Sequence, residues 1–122
     1  RFRTVNGGVH DEGAKTEFLK LHEHLRNSYP NVFSKAEVTV HGGYSLLVRL
    51  RSKDASLKPV IFMGHMDVVP VEESSADRWL NPAFGGTINE GFIWGRGALD
   101  CKHVVLGLLE ALEELLNSGY EP

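Results

Sequence analysis

The sequence predicts an α/β fold in which helices pack on a β-sheet. Two segments with helical spacing of apolar residues, near positions 11–29 and 105–116, flank several short β-like runs. One of these runs, residues 60–63, is apolar at every position, which is typical of a strand buried on both faces. Because strands and helices alternate along the chain, we expect an α/β sandwich.

The first predicted helix spans residues 11–29. Its apolar positions follow Phe18 at i+3 and i+7, the spacing of one helical face. Asp11 suits the N-cap, and Pro30 is expected to end the helix because proline lacks a backbone N–H.

Short runs at residues 37–40 and 45–50 enclose a Gly-Gly pair and predict a β-hairpin. Two further strands are expected at residues 87–88 and 92–94. Between the hairpins, after the apolar run, residues 65–86 show no regular period, but they carry several bulky aromatic and proline residues. We therefore expect an ordered loop there.

The last helix has the clearest pattern. Its leucine and valine side chains, from Val105 to Leu116, form a single apolar stripe, and its glutamates lie mostly off that stripe. Gly119 suits the C-terminal cap, and Pro122 follows it.

Composition excludes several classes of partner. The 122 residues carry a net charge of −3, so the chain lacks the basic surface that nucleic acid requires. No apolar run approaches the length of a membrane span. The single cysteine, Cys101, excludes an internal disulfide.

The first candidate site is the tripeptide His65-Met66-Asp67, which directly follows the apolar run. Ligand sites of α/β proteins lie at the carboxyl ends of such strands. His65 can offer one ring nitrogen to a metal while Asp67 accepts the N–H of the other. The simpler alternative is a local turn pair, and this short motif alone favours that alternative.

The second candidate site is Asp100, which follows Gly95-Arg96-Gly97 and precedes the last helix. In isolation it is best explained as a helix cap, and metal ligation is the alternative. Phosphate binding is disfavoured, because Asp100 stands where the third glycine of a dinucleotide-binding loop is required.

Together the two motifs are specific. The run VIFMGHMDVVP, residues 60–70, is followed by IWGRGALDCK, residues 93–102. This pairing resembles the zinc exopeptidase family of carboxypeptidase S, aminoacylase and the N-fatty-acyl-amino-acid synthase/hydrolases. The resemblance implies a three-layer α/β sandwich with a mixed sheet, the phosphorylase/hydrolase-like fold, of which residues 1–122 are the N-terminal part of the catalytic domain.

The resemblance also implies a site with two zinc ions. His65 would ligate one zinc, and Asp100 would bridge both. Asp67, the catalytic residue expected within this chain, would orient His65. The metal-facing atoms of His65 and Asp100 should then lie within about 3–4 Å of each other. The peptide bond between Asp100 and Cys101 is expected to be cis. Cys101 itself is expected to be a packed thiol, since such sites use histidine and carboxylate ligands.

The function that this resemblance implies is hydrolysis of amide bonds in peptides or N-acyl amino acids. The family's general base, a glutamate, and its remaining zinc ligands are expected outside this chain, as is a domain that forms a homodimer. Glu113 and Glu114 are expected on the solvated face of the last helix. A secreted, vacuolar or lysosomal location follows only from the resemblance. The rival interpretation is a truncated, non-catalytic product or binding module.

Overall fold

The computed structural model describes residues 2–6 and 12–122, which form three α-helices and four β-strands. In chain order these are α1 (Glu12–Ser28), α2 (Pro30–Lys35), β1 (Glu37–His41), β2 (Ser45–Arg49), β3 (Thr87–Asn89), β4 (Phe92–Trp94) and α3 (His103–Asn117). No helix in this part of the chain is both long and apolar enough to cross a membrane. The predicted mixture of helices and strands is confirmed.

The core lies where the three helices meet. Leu25 and Val32 are almost fully buried there, with 1% and 0% of their surface exposed. They pack with other side chains of the same cluster: Leu21, Tyr29, Leu109 and Leu116. Burial of each such apolar side chain contributes about 1.5–3 kcal/mol. This helical cluster is the support on which the loops of the site rest.

The strands form two separate antiparallel hairpins, β1 with β2 and β3 with β4, so both predicted hairpins are confirmed. Glu37 pairs with Arg49 at one end of the first hairpin, and Thr87 pairs with Trp94 in the second. The loop between the hairpins includes a 3-10 helix at Glu73–Arg78.

The prediction that residues 60–63 form a buried strand is wrong for the described chain. These residues make no ladder with a neighbour, and their side chains, from Val60 to Met63, are 73–83% exposed. A strand exists only through hydrogen bonds to another strand, and no described strand pairs with this run. The run is apolar, exposed and unpaired.

Helix boundaries agree closely with the periodicity of the sequence, although the proposed cap at Asp11 lies outside the described residues. Pro30 ends α1 and is also the first residue of α2, a short helix that the pattern did not reveal. Proline suits that first position, where its missing N–H costs nothing. Gly119, with a φ of +86°, follows α3. The N–H groups of Gly119 and Tyr120 bond to carbonyls of the last turn and cap the helix.

Glu113 does not lie on a solvated face, contrary to expectation. Its Oε1 accepts hydrogen bonds from the Asn31 backbone N–H at 3.0 Å and side-chain amide at 2.8 Å. Its Oε2 accepts one from the Val32 N–H at 2.8 Å. The first N–H groups of a helix have no partner within the helix, so Glu113 on α3 caps α2. Glu114 is exposed, as predicted.

Replacing Glu113 with Ala should destabilise the fold by about 1–2 kcal/mol, because the Val32 N–H, on a buried residue, loses its partner. Glu114→Ala, its exposed neighbour on the same helix, should cost less than about 0.5 kcal/mol. Urea unfolding of both variants measures the difference. Equal effects would contradict the capping role of Glu113.

The same cap makes stability depend on pH. Desolvation raises the pKa of Glu113, but hydrogen bonds from Val32 and Asn31 outweigh it and hold the pKa below its ordinary value of 4.5. The cap therefore stabilises the fold above that value, and its contribution is lost as the pH falls through the folded-state pKa. This loss of stability at low pH should occur in the wild-type chain and should be absent from the Glu113→Ala variant.

Candidate metal centre

His65 and Asp67 form a tight local pair. The His65 Nδ1 lies 3.0 Å from Asp67 Oδ1 and 3.0 Å from the Asp67 carbonyl oxygen. Both partners are acceptors, so Nδ1 carries a proton and donates a hydrogen bond to Asp67. The predicted contact between Asp67 and the ring is therefore present, and the turn-pair interpretation holds as well. This contact fixes the ring and leaves Nε2 for another partner.

Asp100 lies in an irregular turn, Ala98–Lys102, before α3, and its peptide bond to Cys101 is cis as expected. The cap interpretation of Asp100 is wrong. The residue at the N-cap of α3 is Lys102, and no side chain caps that helix end. The Asp100 side chain is 88% exposed and is directed at His65 instead.

The two turns meet although 35 residues separate them. Asp100 Oδ1 lies 3.1 Å from His65 Nε2, within the separation expected from the sequence. Gly97 permits the approach, because a Cβ atom there would lie 2.5 Å from the Val68 side chain. Its φ of +85° also favours glycine. This glycine of the second motif thus lets the second turn pack against the first.

The His65–Asp100 contact is favourable when a positive charge lies between the two atoms. Because Nδ1 holds the proton of the neutral ring, Nε2 presents a lone pair to the Asp100 carboxylate, which is also an acceptor. A proton between them resolves the repulsion. Accordingly the Asp100 side chain, followed by Asp67, raises the pKa of His65 above its ordinary 6.5. A metal ion at the same place would satisfy both groups.

The separation of the two atoms suits zinc. Two ligand atoms about 2.0–2.1 Å from a tetrahedral zinc lie about 3.3 Å apart, close to the 3.1 Å observed. The ring is held by a carboxylate on its far nitrogen, the usual arrangement of zinc-bound histidines. Asp100 remains open to solvent, so its second oxygen is free in space to face another ion.

Cys101 is the third group near this centre. Among the described residues, its Sγ and ligand atoms of His65 and Asp100 all lie within 4.8 Å of one another. The sulfur lies 3.4 Å from the His65 backbone N and 3.8 Å from its carbonyl oxygen. The thiol thus contacts the main chain of His65 and also lies within ligand distance of the centre.

The aromatic residues of the long loop serve to anchor it. The Arg96 guanidinium lies 5.4 Å from the centre of the Trp79 ring, and that of Arg3 lies 5.0 Å from the centre of Phe84. Such cation–π contacts contribute about 0.5–1 kcal/mol each when exposed.

A further group of residues at the centre is not predictable from local sequence patterns. Thr4 and Asn6 bond to the His65–Asp67 turn, and Lys102 bonds to the backbone of Phe2. These contacts join positions about 60 and 100 residues apart, and no local pattern encodes such pairings.

Comparisons with known proteins agree on a family. The sequence model of peptidase family M20/M25/M40 matches residues 61–122. The chain is 40% identical to a probable carboxypeptidase S-like 2 of Dictyostelium discoideum, with 99% of this chain and 23% of that protein covered. It is 41% identical to an N-fatty-acyl-amino acid synthase/hydrolase of Mus musculus, with 93% and 22% covered. With carboxypeptidase S of Saccharomyces cerevisiae the identity is 35%, with 86% and 19% covered.

The chain thus spans about a fifth of the length of the curated relatives it matches. No solved structure matches it.

Asp100→Asn should lower the pKa of His65 toward 6.5 in metal-free protein, because a neutral amide no longer stabilises the imidazolium. An NMR titration of the His65 ring measures this, with Glu114→Gln on α3 as the control. The proton shared with Asp100 stabilises the fold below pH 6.5, and this contribution is lost as the pH rises through the raised pKa. A His65 pKa that Asp100→Asn leaves unchanged would contradict the pairing.

Proposed function

Because the chain belongs to peptidase family M20/M25/M40, we propose that it supplies zinc ligands to a hydrolase of amide bonds in peptides or N-acyl amino acids. The observation that carries the proposal is the 3.1 Å approach of His65 Nε2 to Asp100 Oδ1. Two acceptors from distant parts of the chain meet there, and Asp67 holds the ring that presents one of them.

His65 is proposed as the ligand of one zinc and Asp100 as the bridge between two. Members of this family are generally zinc-dependent, and a carboxylate with both oxygens accessible suits a bridging role. When bound, zinc polarises the substrate carbonyl and lowers the pKa of a coordinated water toward about 7. Asp67 is a positioning residue, because it keeps the proton on Nδ1 and leaves the Nε2 lone pair unprotonated.

The substrate class comes from the names of the relatives. The yeast relative is named a carboxypeptidase, and the mouse relative is named for N-fatty-acyl amino acids. Both names describe an amide bond next to an amino acid. The 88% exposure of Asp100 is consistent with a centre that is accessible to such a substrate.

The proposal also includes residues of the complete enzyme that lie outside this chain. In residues 2–6 and 12–122 the one grouping with metal-ligand spacing is His65, Asp100 and Cys101. The remaining ligands, the glutamate that acts as general base and a domain that forms a homodimer are proposed to lie beyond residues 1–122. The exposed run at residues 60–63 is an apolar surface suited to packing in a three-layer sandwich.

The rival proposal is a non-catalytic product or binding module. It has no support comparable to the paired acceptors of His65 and Asp100, which a mere binding module does not need. The complete gene product discriminates the two. If it contains stoichiometric zinc and hydrolyses N-acyl amino acids, and if His65→Ala and Asp100→Ala each lose zinc, the hydrolase is supported. Absence of zinc from the pure wild-type protein would sink it.

Asp67→Ala in the complete protein should reduce zinc affinity or activity by about 10–100-fold, because the ring of His65 is no longer held. Asp67→Asn should lose less, since its amide oxygen can still accept the Nδ1 proton. Chelator competition and kcat/KM measure both variants. If Asp67→Ala behaves like wild type, Asp67 is only a turn residue.

Residues 1–122 expressed alone should bind zinc weakly and show no hydrolysis. A catalytic zinc normally takes about three protein ligands, and two zincs that share one ligand need about five. His65 and Asp100 supply two. Calorimetric zinc titration and an assay with N-acyl amino acids measure the outcome. Tight binding of two zincs with turnover would contradict the assignment of the other ligands to a different part of the enzyme.

A further inference from the structure

A fully buried threonine holds the backbone beside the metal centre. Thr4 has 0% of its surface exposed, and it is the one buried polar residue among residues 2–6 and 12–122. Its hydroxyl donates a hydrogen bond of 2.6 Å to the carbonyl oxygen of Met66. Met66 stands between His65 and Asp67, so this bond fixes the peptide unit at the middle of the motif.

The backbone around Thr4 makes further hydrogen bonds beside the same turn. The Val68 N–H donates to the Thr4 carbonyl at 2.9 Å, and the Asn6 N–H donates to the Val68 carbonyl at 3.2 Å. Val5 and Val68 form a parallel bridge. The Asn6 side chain also lies 3.4 Å from Asp67 Oδ2, the carboxylate oxygen that His65 does not use. Asp67 is therefore approached from both sides.

The other end of this segment reaches the second turn. The Lys102 ammonium donates a hydrogen bond of 2.8 Å to the carbonyl oxygen of Phe2. Lys102 is two residues beyond Asp100. The Phe2 ring lies 5.3 Å from the ring of His24 on α1, which ties the segment to the helical core.

We propose that residues 2–6 are a strut that sets the separation of His65 and Asp100, with Thr4 as its principal positioning residue. The inference rests on the proposed metal centre. It adds that the affinity of this centre for zinc depends on a segment about 60 or more positions away from either turn. Thr4 joins the strut to the His65–Asp67 turn by a hydrogen bond. The hydrogen bond from Lys102 joins the strut to the Asp100 turn.

A strut is needed because the two turns share few hydrogen bonds. Apart from the His65–Asp100 pair and the close packing of Gly97 on Val68, the described contacts between them are those of the Cys101 sulfur with the His65 backbone, at 3.4 and 3.8 Å. Sulfur is a weak hydrogen-bonding group. The side chains of His65 and Asp100 are 50% and 88% exposed, so surrounding packing does little to hold them.

The test uses the complete gene product and compares Thr4→Val with Thr4→Ser. Valine matches threonine in shape but lacks the hydroxyl, so the Met66 carbonyl loses its buried partner. Serine keeps the hydroxyl. Zinc affinity, measured by competition with a chelator, should fall by about 10–100-fold in Thr4→Val and stay within about threefold of wild type in Thr4→Ser. Thr39→Val, on the exposed hairpin strand β1, is the matched control and should have no effect.

Amide hydrogen exchange of metal-free protein provides a readout that does not depend on zinc. The Val68 N–H should exchange faster in Thr4→Val than in wild type, while the core of α3 stays protected. A folded Thr4→Val protein with wild-type zinc affinity would overturn the strut. Failure of wild-type protein to bind zinc would instead overturn the proposed function, so the two failures are distinguishable.

Lys102→Met keeps the inference testable if Thr4→Val does not fold. Removing a positive charge near a cation site should raise zinc affinity if electrostatics alone matter. Loss of the bond to Phe2 should lower it by several-fold if the strut matters. A lower affinity therefore supports the strut, and an equal or higher affinity contradicts it.

Discussion

The His65 Nε2 lies 3.1 Å from the carboxylate of Asp100, a contact that is favourable when a proton or a metal ion lies between the two atoms. The surrounding structure maintains this contact. Asp67 keeps the proton on the other ring nitrogen, Gly97 admits the second turn, and the cis peptide after Asp100 belongs to the same turn. In the metal-free protein Asp100, followed by Asp67, raises the pKa of His65 and so favours a proton on Nε2. Zinc bound at this place would replace that proton and bond to both His65 and Asp100.

The buried core and the candidate metal centre lie in separate parts of the molecule. Burial is concentrated where α1, α2 and α3 meet, and Glu113 completes this unit by capping α2 from α3. The side chains of the metal centre are largely exposed. Their positions therefore depend on bonds that reach out from the core, and residues 2–6 provide several of them. Functional loops positioned by a rigid scaffold are a general arrangement in enzymes.

Sequence reasoning predicted the local elements and the two motifs. Periodicity located α1 and α3, and the positions of Gly and of apolar runs located both hairpins, because these signals arise within a few residues of each other. Resemblance to a family then paired His65 with Asp100. The strand predicted at residues 60–63 is absent from the described chain, because an apolar run indicates what a segment can bury and not whether a partner strand is present. Pro30 was interpreted only as a stop, although proline equally suits the first position of a helix.

The long-range contacts were beyond prediction for a different reason. Glu113 looks like any solvent-facing glutamate on an amphipathic helix, and only the packing of α2 gives it three donors. Thr4 belongs to no motif, and its role depends on a hydrogen bond to the Met66 carbonyl, 62 positions away. Such contacts are set by the tertiary fold, which a single sequence does not encode at short range.

X-ray absorption spectroscopy of the zinc-loaded complete protein, with Asp100→Ala beside it, tests the shared cation most directly. The account predicts nitrogen and oxygen ligands at about 2.0–2.1 Å, an imidazole signal from His65, and loss of zinc from the variant. A sulfur ligand at about 2.3 Å would place Cys101 in the shell and contradict the account, as would zinc that Asp100→Ala retains unchanged.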